Sequence, residues 1–244
     1  MTVKTKRPPR ETAALFSDLA QPYEQFTRML GLPDTPVARW MEDNVGTGGR
    51  ALDIGCGTGR NTAMLADRFT EVLGIDGAPG MIEFAAKERS RPNVRYEVHD
   101  VFEVTPEEHG RFDLVLAFSF VLHVGTPETV LPHLRALVAP GGRLLVVEPQ
   151  RPPTWGERGW QADLAFMSAR AAYQASGDID DAIVALKLVL GQNWMQISEM
   201  SVPPTREEFF EQYSAALPGA VLEEGGDMIG FFTASWQAPA ADPA

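Results

Sequence analysis

Leu52-Asp-Ile-Gly-Cys-Gly-Thr-Gly59 is a strand that runs straight into a glycine turn. The strand, Arg50-Ala-Leu-Asp-Ile54, is short and apolar, and Gly55, Gly57 and Gly59 follow where the chain must bend into a helix. Glycine has no Cβ, so such a turn can be tight and its backbone can approach a ligand closely. A second strand, Glu71-Val-Leu-Gly-Ile-Asp76, ends in an acid 17 residues beyond Gly59, and a third, Val94 to Val98, is followed by Asp100. In open parallel sheets ligands bind at the carboxyl ends of the strands. Asp53, Asp76 and Asp100 should therefore meet the glycine turn in one crevice. A carboxylate at the Asp76 position can accept hydrogen bonds from both hydroxyls of a ribose. Three acids suit a ligand with hydroxyls, an amine and a positive centre better than a pyrophosphate. The spacing G-x-G-x-G also departs from the G-x-G-x-x-G of dinucleotide-binding enzymes.

Outward from this turn, strands alternate with helices. Asn61 to Phe69 has helical spacing, and Pro79 to Arg89 is a helix with proline in its first turn. Phe112 to Phe120 is almost wholly apolar, as a strand buried on both faces should be. A helix opens at Thr126-Pro-Glu128 and should close at Pro140-Gly-Gly142, before a fifth strand at Leu144 to Val147. This alternation implies an α/β fold, a parallel sheet with helices on both faces. Pro-Pro pairs at 8–9, 152–153 and 203–204 read as borders. They suggest an N-terminal helical cap (1–44), a core (45–151 with 205–237), a helical block (152–204) and a disordered tail (238–244). In the helical block, Trp155, Trp160, Leu164, Phe166 and Met167 mark one helix, and Asp178 to Leu190 another, with Gly191 as its C-cap. Thr205-Arg-Glu-Glu208 is a capping box opening a helix to about Ala216, and two strands flank Gly225-Gly226 as a hairpin.

Composition narrows the function classes. The 244 residues hold 21 Lys and Arg against 33 Asp and Glu, a formal charge of -12. Nucleic-acid binding needs clustered basic residues, and the only basic run is Lys4, Lys6, Arg7 and Arg10. No nucleic-acid or membrane partner is expected. Cys56 is the only cysteine, so no intrachain disulfide can form, and no apolar run has the roughly 18 residues of a membrane helix. A cytoplasmic protein, monomeric or homodimeric, is the expectation.

Leu52 to Gly59, Gly74-Ile-Asp76, Asp100-Val101, Phe112-Asp-Leu-Val-Leu116 and Pro140-Gly-Gly142 together resemble the class I S-adenosylmethionine-dependent methyltransferases, over about residues 45–150. The resemblance implies a Rossmann-like sheet with a C-terminal antiparallel hairpin and a helical lid insertion. It also implies S-adenosylmethionine as cofactor, S-adenosylhomocysteine as product, and no metal. By position, Gly55, Gly57 and Gly59 should lie under the methionine and ribose, with Cys56 between them as a small buried filler. Asp53 should face the amino end, Asp76 the ribose hydroxyls, and Asp100 the adenine amino group, with the Val101 amide on a ring nitrogen. Gly77 and Met81 join these cofactor residues, and Phe118 and Ser119 should lie near the sulfonium.

His123 follows the fourth strand at the crevice edge, where it is a candidate base or positioning group; an ordinary imidazole titrates near about 6.5. His99, one residue before Asp100, should point to the opposite face of its strand as a structural residue. Phe16 and Tyr23 lie in a stretch similar to the N-terminus of ubiquinone-biosynthesis-type methyltransferases, which implies that Tyr23 covers the cofactor. Phe16, Trp155, Trp160, Met167 and Trp194 are candidates to line a small-molecule substrate pocket. The implied activity is methyl transfer to oxygen, nitrogen or carbon of a small molecule. A protein substrate, or a cofactor-binding role without methylation, stays open at this level.

Overall fold

The computed structural model describes residues 9–30, 35–225 and 230–241. Helices α1 (Pro9–Ser17), α2 (Ala20–Leu30) and α3 (Pro36–Val45) precede β1 (Gly48–Ile54). Then come α4 (Arg60–Ala66), β2 (Phe69–Asp76), α5 (Pro79–Glu88), β3 (Val94–Val98), α6 (Pro106–His109) and β4 (Phe112–Phe118). A short α7 (Val121–Val124) and α8 (Pro127–Ala136) lead to β5 (Val138–Pro149). The helical block is α9 (Trp160–Ser176), α10 (Ile179–Val189) and α11 (Gln192–Met200); α12 (Arg206–Ala216), β6 (Val221–Gly225) and β7 (Phe231–Gln237) complete the fold.

The seven strands lie in the order β3-β2-β1-β4-β5-β7-β6, with only β7 antiparallel to its neighbours. β1 is central, and the last four residues of its run, Ala51–Ile54, are all buried because helices cover both faces. Leu52, Ile54, Leu73, Ile75 and Val115 pack toward α8 and α12, whereas Ala51, Val72, Leu114, Leu116 and Leu145 pack toward α3 and α4. The strand order reverses between β2 and β4 on either side of β1, which opens a crevice at their carboxyl ends.

The N-terminal helices and the helical block, far apart in sequence, share one small core of Phe26, Ala172, Ala185 and Leu188, with Tyr23 and Trp194 against it. Gln25 donates to Asp181, and Asn193 donates to the Leu15 carbonyl. Together they roof the carboxyl edge of the sheet.

Several local expectations shift. Phe69 leaves the α4 helix and opens β2, because its ring belongs to the core beside Met41 and Leu65. Pro140-Gly-Gly142 does not end a helix; it lies inside β5, where a Cβ on Gly142 would press on the Phe112, Asp113 and Ala139 carbonyls. Gly191 is not a left-handed C-cap: its φ is -68° and it caps the start of α11. Trp155 precedes α9 rather than lying in it. Ile179 and Ile183 face outward while Ala182, Ala185 and Leu188 pack inward, since small residues allow close helix contact. The tail is tied down at its start, where Ala238 N–H donates to Gly142 and Pro239 accepts from Gly141. Gly226 of the hairpin turn, Lys4, Lys6 and Arg7 lie outside the described residues.

Candidate functional site

Two adjoining cavities occupy the crevice. The smaller, about 300 Å³, is bordered by Gly55, Gly57, Asp76, Gly77, Met81, Asp100 and Val101. Its border carries three carboxylates, Asp76, Asp100 and Glu103, and no Lys or Arg among the described residues. The larger, about 810 Å³, lies under the helical roof. Phe16, Tyr23, Gly57, Ser119 and His123 border both, so these five residues form the wall between them.

The glycine turn is held from below and from the side. Gly55, Gly57 and Gly59 have φ of 66°, 52° and 80°, in the left-handed region where glycine carries no steric cost. A Cβ on Gly55 would collide with the Phe120 ring. Gly59 borders neither cavity; it lets Tyr96 and Ala85 pack against the start of α4. Asp76 accepts from Gly57 N–H at 2.9 Å and from Ala78 N–H at 2.8 Å, which partly offsets the rise in its pKa caused by burial. Asp53 is buried beneath the turn and borders neither cavity. Its Oδ2 accepts from the Thr62 hydroxyl at 2.6 Å, and its Oδ1 has no hydrogen-bond partner. Burial, reinforced by the nearby Asp76 charge, pushes its pKa up to about 7. Burial likewise holds the Cys56 thiol well above its usual range, so it stays protonated and is no nucleophile. Asp100 caps the turn after β3 by accepting from Phe102 N–H at 3.1 Å.

Sequence reasoning missed Glu24. Its carboxylate on α2 accepts from the Thr58 hydroxyl at 2.6 Å and pairs with Arg89 at 2.5 Å and Arg60 at 3.3 Å. It thereby straps the roof to the glycine turn. No local pattern marks it, because all its partners are more than 30 residues away in sequence. Tyr23 beside it is pushed up to about 12, by burial first and then by Asp76 and Glu24, so its phenol stays neutral.

His123 sits in α7, whose start is fixed by Glu148: Phe120 N–H and Val121 N–H donate to its carboxylate at 3.2 and 2.9 Å. The His123 Nδ1 lies 2.8 Å from the Ser201 hydroxyl, and the Phe16 ring meets the imidazole edge-on at 5.1 Å. Ser119 enters α7 with φ 51°, a left-handed value that costs a non-glycine residue on the order of 1 kcal/mol.

A sequence profile described as a methyltransferase domain matches residues 51–142. A ubiquinone biosynthesis O-methyltransferase of Coxiella burnetii is 29% identical over 150 residues, 59% of this chain and 64% of that protein. The chain thus spans just under two thirds of that relative. A trans-aconitate 2-methyltransferase of Methylobacterium radiotolerans is 40% identical over 102 residues, 41% of this chain and 37% of that protein. Among solved structures, a Burkholderia thailandensis 1,6-didemethyltoxoflavin-N1-methyltransferase shares the fold, with a TM-score of 0.58 and 17% identity over 98% of this chain and 93% of the other. Residues 51–142 thus match a methyltransferase domain, and the fold is that of S-adenosylmethionine-dependent methyltransferases.

The residues expected at the cofactor divide. Gly55, Gly57, Asp76, Gly77, Met81, Asp100 and Val101 border the smaller cavity, Cys56 and Phe118 border only the larger one, and Tyr23 and Ser119 border both. Asp53 and Gly59 lie behind the turn. Of the residues expected at the substrate, Phe16, Trp155, Met167 and Trp194 line the larger cavity. Trp160 does not; it packs behind Trp155, ring centroids 4.0 Å apart. Expected on the opposite face of its strand from Asp100, His99 borders the same smaller cavity, because β3 ends at Val98 and strand alternation no longer governs it. Its Nε2 is 3.1 Å from Glu97, and these two with His109 bring ligand-type atoms within 4.8 Å of one another. The His109 Nδ1 lone pair, however, already accepts from Thr105 N–H. No helix among the described residues is long and apolar enough to cross a membrane.

Proposed function

We propose that the chain transfers the methyl group of S-adenosylmethionine to a small-molecule acceptor. The observation that carries this reading is the smaller cavity's border: three carboxylates and, among the described residues, no Lys or Arg, at the carboxyl ends of β1, β2 and β3. A cation rich in hydroxyls and amines fits such a border, and a dinucleotide pyrophosphate does not. The unpartnered Asp53 Oδ1 behind the turn fits the same ligand as a buried acceptor awaiting a donor, and Gly55 and Gly57 present bare backbone to the cavity.

Asp76 would hold the ribose hydroxyls, because each of its oxygens keeps a lone pair beyond its bond to Gly57 or Ala78. Asp100 and the Val101 amide would take the adenine edge, and Asp53 the amino end, directly or through water. Phe118 and Ser119 would stand at the sulfonium. When bound, the cofactor supplies an electrophilic methyl group on a positively charged sulfur. The protein therefore contributes alignment and water exclusion more than acid–base chemistry. Phe16 and Tyr23 close the wall between the cavities against water. His123, in that same wall, orients the acceptor and takes a proton if the nucleophile must lose one. The names of relatives support a small molecule: ubiquinone biosynthesis in one, trans-aconitate in another.

The test is incubation with methyl-labelled S-adenosylmethionine and a small-metabolite extract, followed by mass spectrometry. Label in a small molecule is expected. Label only in protein, or none despite cofactor binding, would refute the reading.

A further inference from the structure

The larger cavity has its own chemistry. Its volume of about 810 Å³ lies near the upper end for small-molecule sites, and Phe118, Trp155, Leu164, Met167 and Phe231 give it apolar walls. Among the described residues it also touches three arginines and one glutamate, and each is already engaged. Arg60 pairs with Glu24, Glu42 pairs with Arg68, and Arg39 has a partner. Arg151 is bound most firmly: its Nη2 meets Glu208 at 2.6 Å and its Nε donates to the Pro203 carbonyl at 2.7 Å. Glu208 in turn accepts from Thr205 N–H in the capping box of α12. With Glu208 on Nη2 the Arg151 charge is already neutralised, so an anionic ligand that reached its remaining N–H donors would gain little from them and would sit beside the Glu208 carboxylate. The chain's charge of -12 opposes anions further. A ligand of only a few atoms would leave most of the cavity as water against aromatic rings.

We propose that this cavity takes an uncharged, largely apolar methyl acceptor with several rings or a long chain, and that Glu208 enforces the choice by neutralising Arg151. The proposal rests on the methyltransferase reading and deepens it. It separates this chain from enzymes of the family whose acceptors are carboxylates.

The test uses two fluorescent probes with the same aromatic frame, neutral N-phenyl-1-naphthylamine and its sulfonated counterpart 8-anilino-1-naphthalenesulfonate. The protein should bind the neutral probe at least tenfold more tightly than the sulfonate. Met167→Trp, at a position 40% exposed and so tolerant of a larger ring, should weaken the neutral probe at least fivefold by filling the cavity. Glu208→Gln keeps the capping box, since Gln serves at that position, and frees the Arg151 charge. It should tighten the sulfonate about tenfold and leave the neutral probe unchanged. Equal affinities in the parent protein, neutral-probe binding untouched by Met167→Trp, or a probe ratio untouched by Glu208→Gln would each overturn the proposal. Calorimetry with S-adenosylhomocysteine on the same proteins separates the two readings. Absent cofactor binding refutes the methyltransferase reading, whereas cofactor binding without a preference for the neutral probe refutes the acceptor class alone.

Discussion

Asp53→Asn isolates what a buried carboxylate does beneath the glycine turn. Asp53 is 1% exposed, and burial carries its pKa from 3.8 to about 7. An acid with a higher pKa in the folded than in the unfolded state binds more protons when folded, between those two values. Stability therefore falls as pH rises from about 4 to about 7 and levels off above that. About three pH units at about 1.4 kcal/mol each put the loss on the order of 4 kcal/mol. Asparagine has the same shape, keeps an oxygen for the Thr62 hydroxyl and never ionises. Urea titrations of both cofactor-free proteins between pH 4 and 8 should give a difference that is near zero at pH 4, grows with pH and flattens above pH 7, with the variant more stable. The cofactor adds a second readout. An ammonium group brought to Asp53 would favour its ionised form, so binding near pH 6.5 should release a proton from the parent protein and none from the variant. Calorimetry in two buffers of different ionisation enthalpy measures this. Parallel stability curves for the two proteins would refute burial as the cause of the shift, and equal proton release would refute the contact with the amino end.

Asp76→Ala should weaken S-adenosylmethionine and S-adenosylhomocysteine alike, at least tenfold by calorimetry, since each charge-assisted hydrogen bond lost contributes about 1.5–3 kcal/mol; unchanged affinity would remove the ribose role. His123→Ala should raise the acceptor KM and leave cofactor affinity intact, with Ser201→Ala a weaker copy of the same effect. If the acceptor must lose a proton, turnover should also fall by roughly 10²–10⁴-fold; parent-like kinetics in His123→Ala would place it outside the site. Residues 152–204 should exchange amide hydrogens more slowly with cofactor and acceptor bound than without, as expected of a lid, whereas equal protection would mark fixed core. Glu24→Ala should lower stability by about 2 kcal/mol through the loss of its charged hydrogen bonds to Arg89 and Arg60, and thermal unfolding without a shift would show that the strap carries no energy.

The sheet and its ligand edge were legible in the sequence because both are local. A strand, a glycine turn and an acid at each strand end are read within a few residues, and parallel topology then brings Asp76 and Asp100 to one crevice. The capping box at Thr205 and Glu208 was equally plain, since its two hydrogen bonds span three residues. What only the tertiary structure decided are facts about distant partners. Asp53 follows the same motif as the glycines, yet strand alternation turns it under the sheet toward Thr62 and away from the open cavity. Trp155 lines the larger cavity and Trp160 does not, because the chain enters α9 between them. Glu24 acquires its role only when α2 folds back over residues 58–89, and Glu208 acquires a second role, beyond its cap, only when Arg151 arrives from the end of β5. Hydrophobic period and turn chemistry act over one or two turns of chain and so can be read in order. The pairing of charges across a cavity depends on which elements pack together, and that is settled by the whole core at once.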